Sequence, residues 1–358
     1  MRVNTRYLVP ATVVLALAVG AGGAAEAARS VPAAGITVAA WQPERNGAAV
    51  WRGSRTSVEE IRFLRGAQLP TLSPEGRSIA FVRRSRGGFD LFLTGTYAGF
   101  EQRLARLART STTALAFTLD GRSVAFAFAD GIGLASIVPG APLRRIPLPP
   151  RWRGSTLRGL AFSPDGRLLA FSRTWGDGRA GTLRNELAII RRDGGGARSL
   201  VRNPDPFGAQ YSPTFSPDGT RIAFTAVDGS LATVASTGGP PVRLTPPRPA
   251  GSTRVDFRPV YSRDGSLIAF TRSPGRGGSD VFLVCPDGRG LRRLTTTPLP
   301  VEPGVPRVGS SALAWSPDGV ALLAFRHDHL AVLDAATGGS TPLATVGVQY
   351  ELGPAMWH

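Results

Sequence analysis

Short segments of alternating apolar and polar residues recur along the chain, and turn signals separate them. The clearest unit is an apolar or aromatic residue, then Ser-Pro-Asp-Gly or a close variant, then an apolar-Ala-Phe segment. The six copies begin at Leu72, Phe117, Phe162, Phe215, Tyr261 and Trp315, and they end at Phe81, Phe126, Phe171, Phe224, Phe270 and Phe325. Their Ser or Thr positions lie 45–54 residues apart, the length of a four-stranded structural repeat.

Each unit is predicted to form β-strands joined by tight turns. Asp-Gly favours a turn because Gly accepts the positive φ that hairpin turns require. Further apolar segments, at residues 90–93, 185–189 and 280–283, supply third strands, and Arg-Leu-Thr segments at 243–245 and 293–295 end fourth strands. A single sheet of this kind cannot bury both faces, so the sheets must stack radially. We therefore predict an all-β fold, a β-propeller of four-stranded blades.

The two ends of the chain are predicted to close the ring together. Trp357 occupies the place in the repeat that Trp315 occupies, but no blade follows it. Residues 36–66 contain three apolar segments with no inner strand before them. Joining the two removes two open sheet edges. We predict seven blades, with residues 36–66 and 350–358 forming a composite closing blade and residues 67–349 forming six repeat blades; six blades in total is the alternative.

These motifs resemble the TolB-like, WD-type β-propeller repeat family. The resemblance extends from about residue 67 to the C-terminus and rests on the Ser-Pro-Asp-Gly units with their apolar-Ala-Phe strands. It implies the propeller fold and does not identify a ligand.

The N-terminus has the pattern of a secretory signal. Arg2 and Arg6 precede an apolar stretch at residues 8–18, and small residues follow up to Ala28. We predict a signal peptide over residues 1–28, a linker over 29–35 and the propeller over 36–358. The expected location is extracytoplasmic: secreted, periplasmic or associated with the cell wall. An uncleaved anchor, as in a sensor ectodomain, is the alternative.

The chain is strongly basic. Its formal net charge is +17, and every one of its 42 Lys+Arg residues is arginine. Such a charge favours anionic partners. We expect an envelope protein or an anionic envelope polymer as partner, a monomer, no nucleic acid, and no membrane span after cleavage. Cys285, the single cysteine, excludes an internal disulfide and is expected to be buried at the end of a strand.

The sequence carries few of the residues that catalysis or metal binding would need. There is no Gly-x-Ser-x-Gly pentapeptide, and the three His residues are His327, His329 and His358. Two His around one turn make a weak metal site. The motif aspartates recur in nearly every repeat, which indicates a role in the turn. The sequence therefore predicts a non-enzymatic protein with no catalytic residues, no metal and no cofactor; a hydrolase or lyase acting at the mouth of the channel is the alternative.

Loops leading into the inner strands should line one mouth of the central channel, where ligands would bind. The candidate ligand-binding residues there are Arg158, Gln210, Tyr211, Arg254, Asp256, Arg307, Tyr350 and Glu351. The long insertion at residues 173–184, which contains Trp175, is a second candidate. The predicted function is binding of a protein or anionic envelope ligand through one face of the ring.

Overall fold

The computed structural model describes residues 35–42, 45–97, 99–107, 114–128, 131–176, 184–203, 213–274, 278–297, 310–326, 329–345 and 355–357. In these ranges the chain forms seven four-stranded antiparallel sheets, which are the blades of a propeller. Strand order within each sheet follows the chain from inner to outer strand, except in the blade that joins the two ends.

The blades are numbered from the closing one. Blade 1 contains β1 (Ile36–Gln42), β2 (Gly47–Gly53), β3 (Val58–Arg65) and β28 (Ala355–Trp357). Blade 2 contains β4 (Ala67–Leu72), β5 (Ser78–Ser85), β6 (Gly88–Gly95) and β7 (Gln102–Leu107). Blade 3 contains β8 (Leu115–Phe117), β9 (Ser123–Phe128), β10 (Gly131–Ser136) and β11 (Arg144–Pro147). A 3₁₀ turn (Pro150–Trp152) then leads to blade 4.

Blade 4 contains β12 (Thr156–Phe162), β13 (Leu168–Trp175), β14 (Arg184–Arg191) and β15 (Arg198–Asn203). Blade 5 contains β16 (Thr214–Phe215), β17 (Arg221–Thr225), β18 (Leu231–Ala235) and β19 (Val242–Arg243). Blade 6 contains β20 (Val255–Tyr261), β21 (Ile268–Ser273), β22 (Asp280–Val284) and β23 (Arg292–Arg293). Blade 7 contains β24 (Ser310–Trp315), β25 (Ala321–Arg326), β26 (His329–Asp334) and β27 (Ser340–Thr345).

The closing blade joins both ends of the chain. Strand β28 pairs antiparallel with β1, with Ile36 opposite Trp357 and Val38 opposite Ala355. The predicted seven blades are confirmed, and the six-blade alternative is wrong, because β1–β3 form a sheet of their own that receives its inner strand from the C-terminus. The predicted signal peptide and most of the linker, residues 1–34, lie outside the described residues.

The Ser-Pro-Asp-Gly units are turns held by their own side chains. In blade 4, Ser163 Oγ donates to Asp165 Oδ1 at 2.5 Å and accepts the backbone N–H of Leu168 at 2.9 Å. The backbone N–H of Arg167 donates to the same carboxylate oxygen at 3.0 Å, and Gly166 adopts φ +68°. The same hydroxyl-to-carboxylate bond occurs at Asp120, Asp218, Asp264 and Asp318. The turn role predicted for these aspartates is therefore confirmed.

The apolar-Ala-Phe strands build the core between neighbouring blades. The Phe residue that ends each copy is at most 2% exposed. Between blades 3 and 4, Ile132 and Ile146 share one buried cluster with Leu169 and Phe171. The adjacent Ala residues leave space for these large side chains, so packing between blades supplies the apolar burial that a single sheet lacks.

Cys285 departs from its predicted place. Strand β22 ends at Val284, and Cys285 begins the following turn, where Gly288 donates its backbone N–H to the Cys285 carbonyl at 2.9 Å. The cysteine is half-buried, because it lies in the turn and not in the strand whose residues Val281, Leu283 and Val284 are buried. Within the described ranges, no helix is both long enough and apolar enough to cross a bilayer.

Candidate ligand-binding site

Three of the eight predicted ligand-binding residues lie in the described part of the chain: Arg158, Arg254 and Asp256. The other five, Gln210, Tyr211, Arg307, Tyr350 and Glu351, lie outside the described residues and stay predictions.

Asp256 lies on the inner strand of blade 6 and is 0% exposed. Arg272 binds its carboxylate with both arms of the guanidinium, Nε to Oδ1 at 2.6 Å and Nη2 to Oδ2 at 2.7 Å. Thr245 Oγ1 donates to Oδ2 at 2.6 Å. Because both carboxylate oxygens bind protein donors away from solvent, the geometry gives Asp256 a structural role, and its contact with a ligand stays a prediction.

The two arginines have different surroundings. Arg158 is half-buried on the inner strand of blade 4, and burial lowers the pKa of its guanidinium. The next residue, Gly159, adopts φ +60° where the pairing of β12 with β13 shifts register, so a β-bulge lies beside Arg158. Arg254 donates from Nη2 to the Pro246 carbonyl, which fixes it to its own loop.

A cavity of about 500 Å³ opens beside blade 4. Trp175 and Arg184, which line the cavity, pair with each other at the end of β13 and the start of β14. The neighbouring Thr174 pairs with Thr156, the first residue of the inner strand, so the cavity lies at the end of the blade where the chain enters that strand. This is the end predicted to bind a ligand. The lining residues are Arg151, Trp152, Arg173, Trp175, Arg184, Asn185, Glu186, Arg198, Ser199 and Arg202.

A buried ion pair forms the floor of this cavity. The side chains of Arg173 and Glu186 are 6% and 2% exposed, and Arg173 Nε donates to Glu186 Oε1 at 2.7 Å. Arg173 Nη1 donates to Ser155 Oγ at 2.9 Å, and Ser199 Oγ donates to Glu186 Oε2 at 2.7 Å. The charges of Arg173 and Glu186 therefore compensate each other, and hydrogen bonds fix both side chains in place.

Two tryptophans enclose the floor arginine. The Arg173 guanidinium carbon lies 3.8 Å from the centroid of the Trp175 ring and 5.1 Å from that of Trp152. Trp152 is buried and packs edge-on against Phe171, with centroids 6.0 Å apart. Trp175 is half-buried and borders the cavity. Cation–π attraction thus holds the guanidinium in place and fixes the plane of the Trp175 indole.

The rim of the cavity is cationic. Its four arginines are solvent-exposed: Arg151, Arg184, Arg198 and Arg202. With Arg173 and the single Glu186, the lining residues carry a formal charge of +4. Arg151 and Arg198 each donate to a backbone carbonyl, of Ala197 and Ser236 respectively, which anchors them without neutralising their charge. The arrangement suits a small anionic ligand.

The cavity on blade 4 combines residues of the predicted insertion at 173–184 with residues that were not predicted. Arg173, Trp175 and Arg184 come from the predicted insertion, whereas Arg151, Trp152, Arg198 and Arg202 were not predicted. An arginine two positions after the buried Phe, as at Arg173, Arg272 and Arg83, marks the floor arginine, but Arg151, Trp152, Arg198 and Arg202 hold no such position in the repeat. Within the part of the chain that the structure describes, no three His, Cys, Asp or Glu side chains gather as a metal ion would require.

Known proteins resemble this chain in sequence and in fold. No protein-family model matches the chain. Over 250 residues, 68% of this chain, it is 31% identical to the Tol-Pal system protein TolB of Anaeromyxobacter dehalogenans strain 2CP-C. The match covers 46% of that protein, so the chain spans about half the length of this curated relative.

Solved structures share the fold at lower identity. TolB from Acinetobacter baumannii has a TM-score of 0.52 and 19% identity, covering 79% of this chain and 66% of that one. A periplasmic gluconolactonase from Pseudomonas aeruginosa has a TM-score of 0.59 and 17% identity, covering 90% and 98%. At these identities the likeness concerns the propeller fold, which hosts both binding proteins and enzymes.

Proposed function

Because the propeller of this chain belongs to the TolB-like family of β-propellers, we propose that it is a non-enzymatic module of the cell envelope. It binds an anionic ligand through the end of the ring that carries the arginine cavity. The observation that carries this proposal is the +4 lining of a concave site on a chain whose net charge is +17. Cationic walls around a concavity concentrate the field and attract anions.

The envelope location has two supports. The N-terminal pattern of residues 1–28 is that of an export signal. The curated relative is named as a protein of the Tol-Pal system. The anionic ligand would then be an acidic segment of an envelope protein or an envelope polymer.

The test is binding of the exported protein to envelope extract across a salt series. A double reversal, Arg151→Glu with Arg202→Glu, removes two exposed rim cations. The matched control, Arg86→Glu with Arg289→Glu, makes the same change in net charge on exposed residues outside the cavity. We expect the rim variant to bind at least about tenfold more weakly, a loss of about 1.4 kcal/mol, and the control to bind nearly as the parent does. Equal loss in both variants would show that only the overall charge matters and would overturn the site.

Salt separates electrostatic binding from binding by shape. The electrostatic screening length is about 8 Å at physiological ionic strength and about 3 Å at 1 M, so the affinity should fall steadily over that range. Affinity that does not change with salt would contradict the anionic ligand.

The non-enzymatic part of the proposal has its own test. The alternative is a hydrolase or lyase at the channel mouth, and the gluconolactonase shares the fold over most of both chains. Incubation with sugar lactones and acidic polysaccharides, followed by product analysis, should show no turnover above the rate in buffer. Turnover abolished in the rim variant would make the protein an enzyme.

A further inference from the structure

The cavity on blade 4 presents more than positive charge. Its floor is compensated by the Arg173–Glu186 pair, and its cations stand at the rim. A ligand that fills it therefore needs anionic groups at its edge and a flat, weakly polar face toward the indoles. This distribution differs from that of a simple polyanion, which carries charge along its whole length.

Trp175 sets the shape of the binding surface. One face of its indole lies against the Arg173 guanidinium at 3.8 Å, and the ring borders the cavity while half-buried. The Glu186 and Ser155 hydrogen bonds fix Arg173, so the indole has little freedom to turn. A rigid ring in a partly buried site is a preorganised platform for a flat ligand.

The size of the cavity limits what can enter. About 500 Å³ lies within the range of sites for small ligands and leaves room for one or two sugar rings, not for a helix or a folded domain. The exposed guanidinium groups of Arg151 and Arg202 can each bind a carboxylate or phosphate through two parallel N–H donors.

We propose that the blade 4 cavity is a subsite for an acidic saccharide, whose pyranose ring lies on Trp175 while its carboxylate or phosphate is bound by the rim arginines. This assignment rests on the proposed function and specifies the chemical class of its ligand. An acidic peptide is the competing occupant. The platform favours the saccharide, because an acidic peptide would be held by charge alone and would make no use of a fixed indole.

The experiment measures calorimetric affinities of the full exported protein for four probes: a uronic-acid disaccharide, a glucose phosphate, an uncharged glucose disaccharide and a short polyaspartate peptide. We expect the acidic sugars to bind and the uncharged sugar to bind at least about tenfold more weakly. Binding of the uronate alone would identify the anionic group as a carboxylate, and binding of the phosphate alone would identify it as a phosphate; both support the proposal.

Variants of Trp175 test the platform. Trp175→Ala should weaken acidic-sugar binding about tenfold, and Trp175→Phe, which keeps an aromatic face, should weaken it only about threefold. The control is Phe100→Ala, which removes an aromatic ring that is 100% exposed elsewhere on the molecule. Thermal melting of each variant shows whether the fold is intact, and the Phe variant preserves the test if the Ala variant unfolds.

The possible failures are distinguishable. If polyaspartate binds and the acidic sugars do not, or if Trp175→Ala binds them as the parent does, the saccharide assignment is overturned while the proposed function stands. If no anionic probe binds and envelope extract shows no salt-dependent binding, both fail.

Discussion

Blades 4 and 6 place an arginine at the same point of the repeat and use it differently. Arg173 and Arg272 each lie two residues after the buried Phe of their second strand. Arg272 is paired in register with Asp256 on the inner strand, whereas Arg173 is paired with Leu157. The guanidinium of blade 6 therefore binds inward to a fully buried carboxylate, and that of blade 4 binds outward to Glu186.

The two blades also differ in the number of acidic side chains available to their arginines. In blade 6 a second acid, Asp280, accepts from Arg293 at 2.5 Å and from Thr297 at 2.8 Å, so both arginines have acidic partners. In blade 4 a single glutamate stands among the five arginines of the cavity. The acids of blade 6 thus form a closed network with their arginines, whereas the cavity of blade 4 keeps surplus positive charge.

The largest expected effect is on stability in blade 6. Arg272→Ala leaves the carboxylate of Asp256 buried with only Thr245 as side-chain donor. Removing one partner of a buried ion pair costs about 3–5 kcal/mol. Urea unfolding of this variant should show that loss, whereas Arg289→Ala, at an 88% exposed side chain, should change the free energy of unfolding by less than about 0.5 kcal/mol. A loss below about 1 kcal/mol for Arg272→Ala would refute the closed network.

A smaller stability effect with a larger binding effect is expected in blade 4. Arg173→Ala leaves Glu186 beside a cavity that water can enter, with the Ser199 hydrogen bond intact. We expect a loss of about 1–3 kcal/mol in the free energy of unfolding. Binding of an anionic ligand should fall as well, because the freed Glu186 charge repels anions and Trp175 loses its support. The Arg272→Ala variant, measured at a temperature where it is folded, should bind the anionic ligand as the parent does. An equal loss of binding in both variants would contradict the different roles assigned to the two blades.

The smallest effects concern the hydroxyl groups that assist each acid. Thr245→Val removes a 2.6 Å donor to Asp256, and Ser199→Ala removes a 2.7 Å donor to Glu186. We expect about 1–2 kcal/mol for the first and about 0.5–1 kcal/mol for the second, since water in the cavity replaces the lost hydroxyl only in blade 4. Chemical denaturation of both variants in parallel measures the difference, and the reverse order would contradict an open cavity beside Glu186.

The sequence predicted the fold well because a propeller repeats one local pattern. Each Ser-Pro-Asp-Gly turn is held by contacts within five residues, as between Ser163 and Leu168, so local sequence suffices to identify it. The closing blade was predictable for a related reason: Trp357 repeats the position of Trp315, and residues 36–66 contain the three apolar segments that complete its blade.

The binding site was less accessible to sequence reasoning. The insertion around Trp175 predicts part of the site, but loop position also predicts Asp256 as a ligand contact, and Asp256 is fully buried. Loop position alone does not tell whether a carboxylate faces solvent or a neighbouring guanidinium. The answer for Asp256 depends on Arg272 and Thr245, which lie 16 and 11 residues away.

The sequence by itself determined the propeller repeat, the turn chemistry and the surplus of arginine, because these follow from local periodicity and composition, and the pairing of β28 with β1 decided for seven blades over six. Only the tertiary structure decided where that surplus becomes a site. Arg151 and Arg202 are separated in sequence, and antiparallel pairing within blade 4 together with the preceding 3₁₀ turn brings both to one cavity. The sequence gives the number of charged residues but not their positions in space. Those positions are set when the packing of the blades buries some carboxylates and leaves some guanidinium groups exposed.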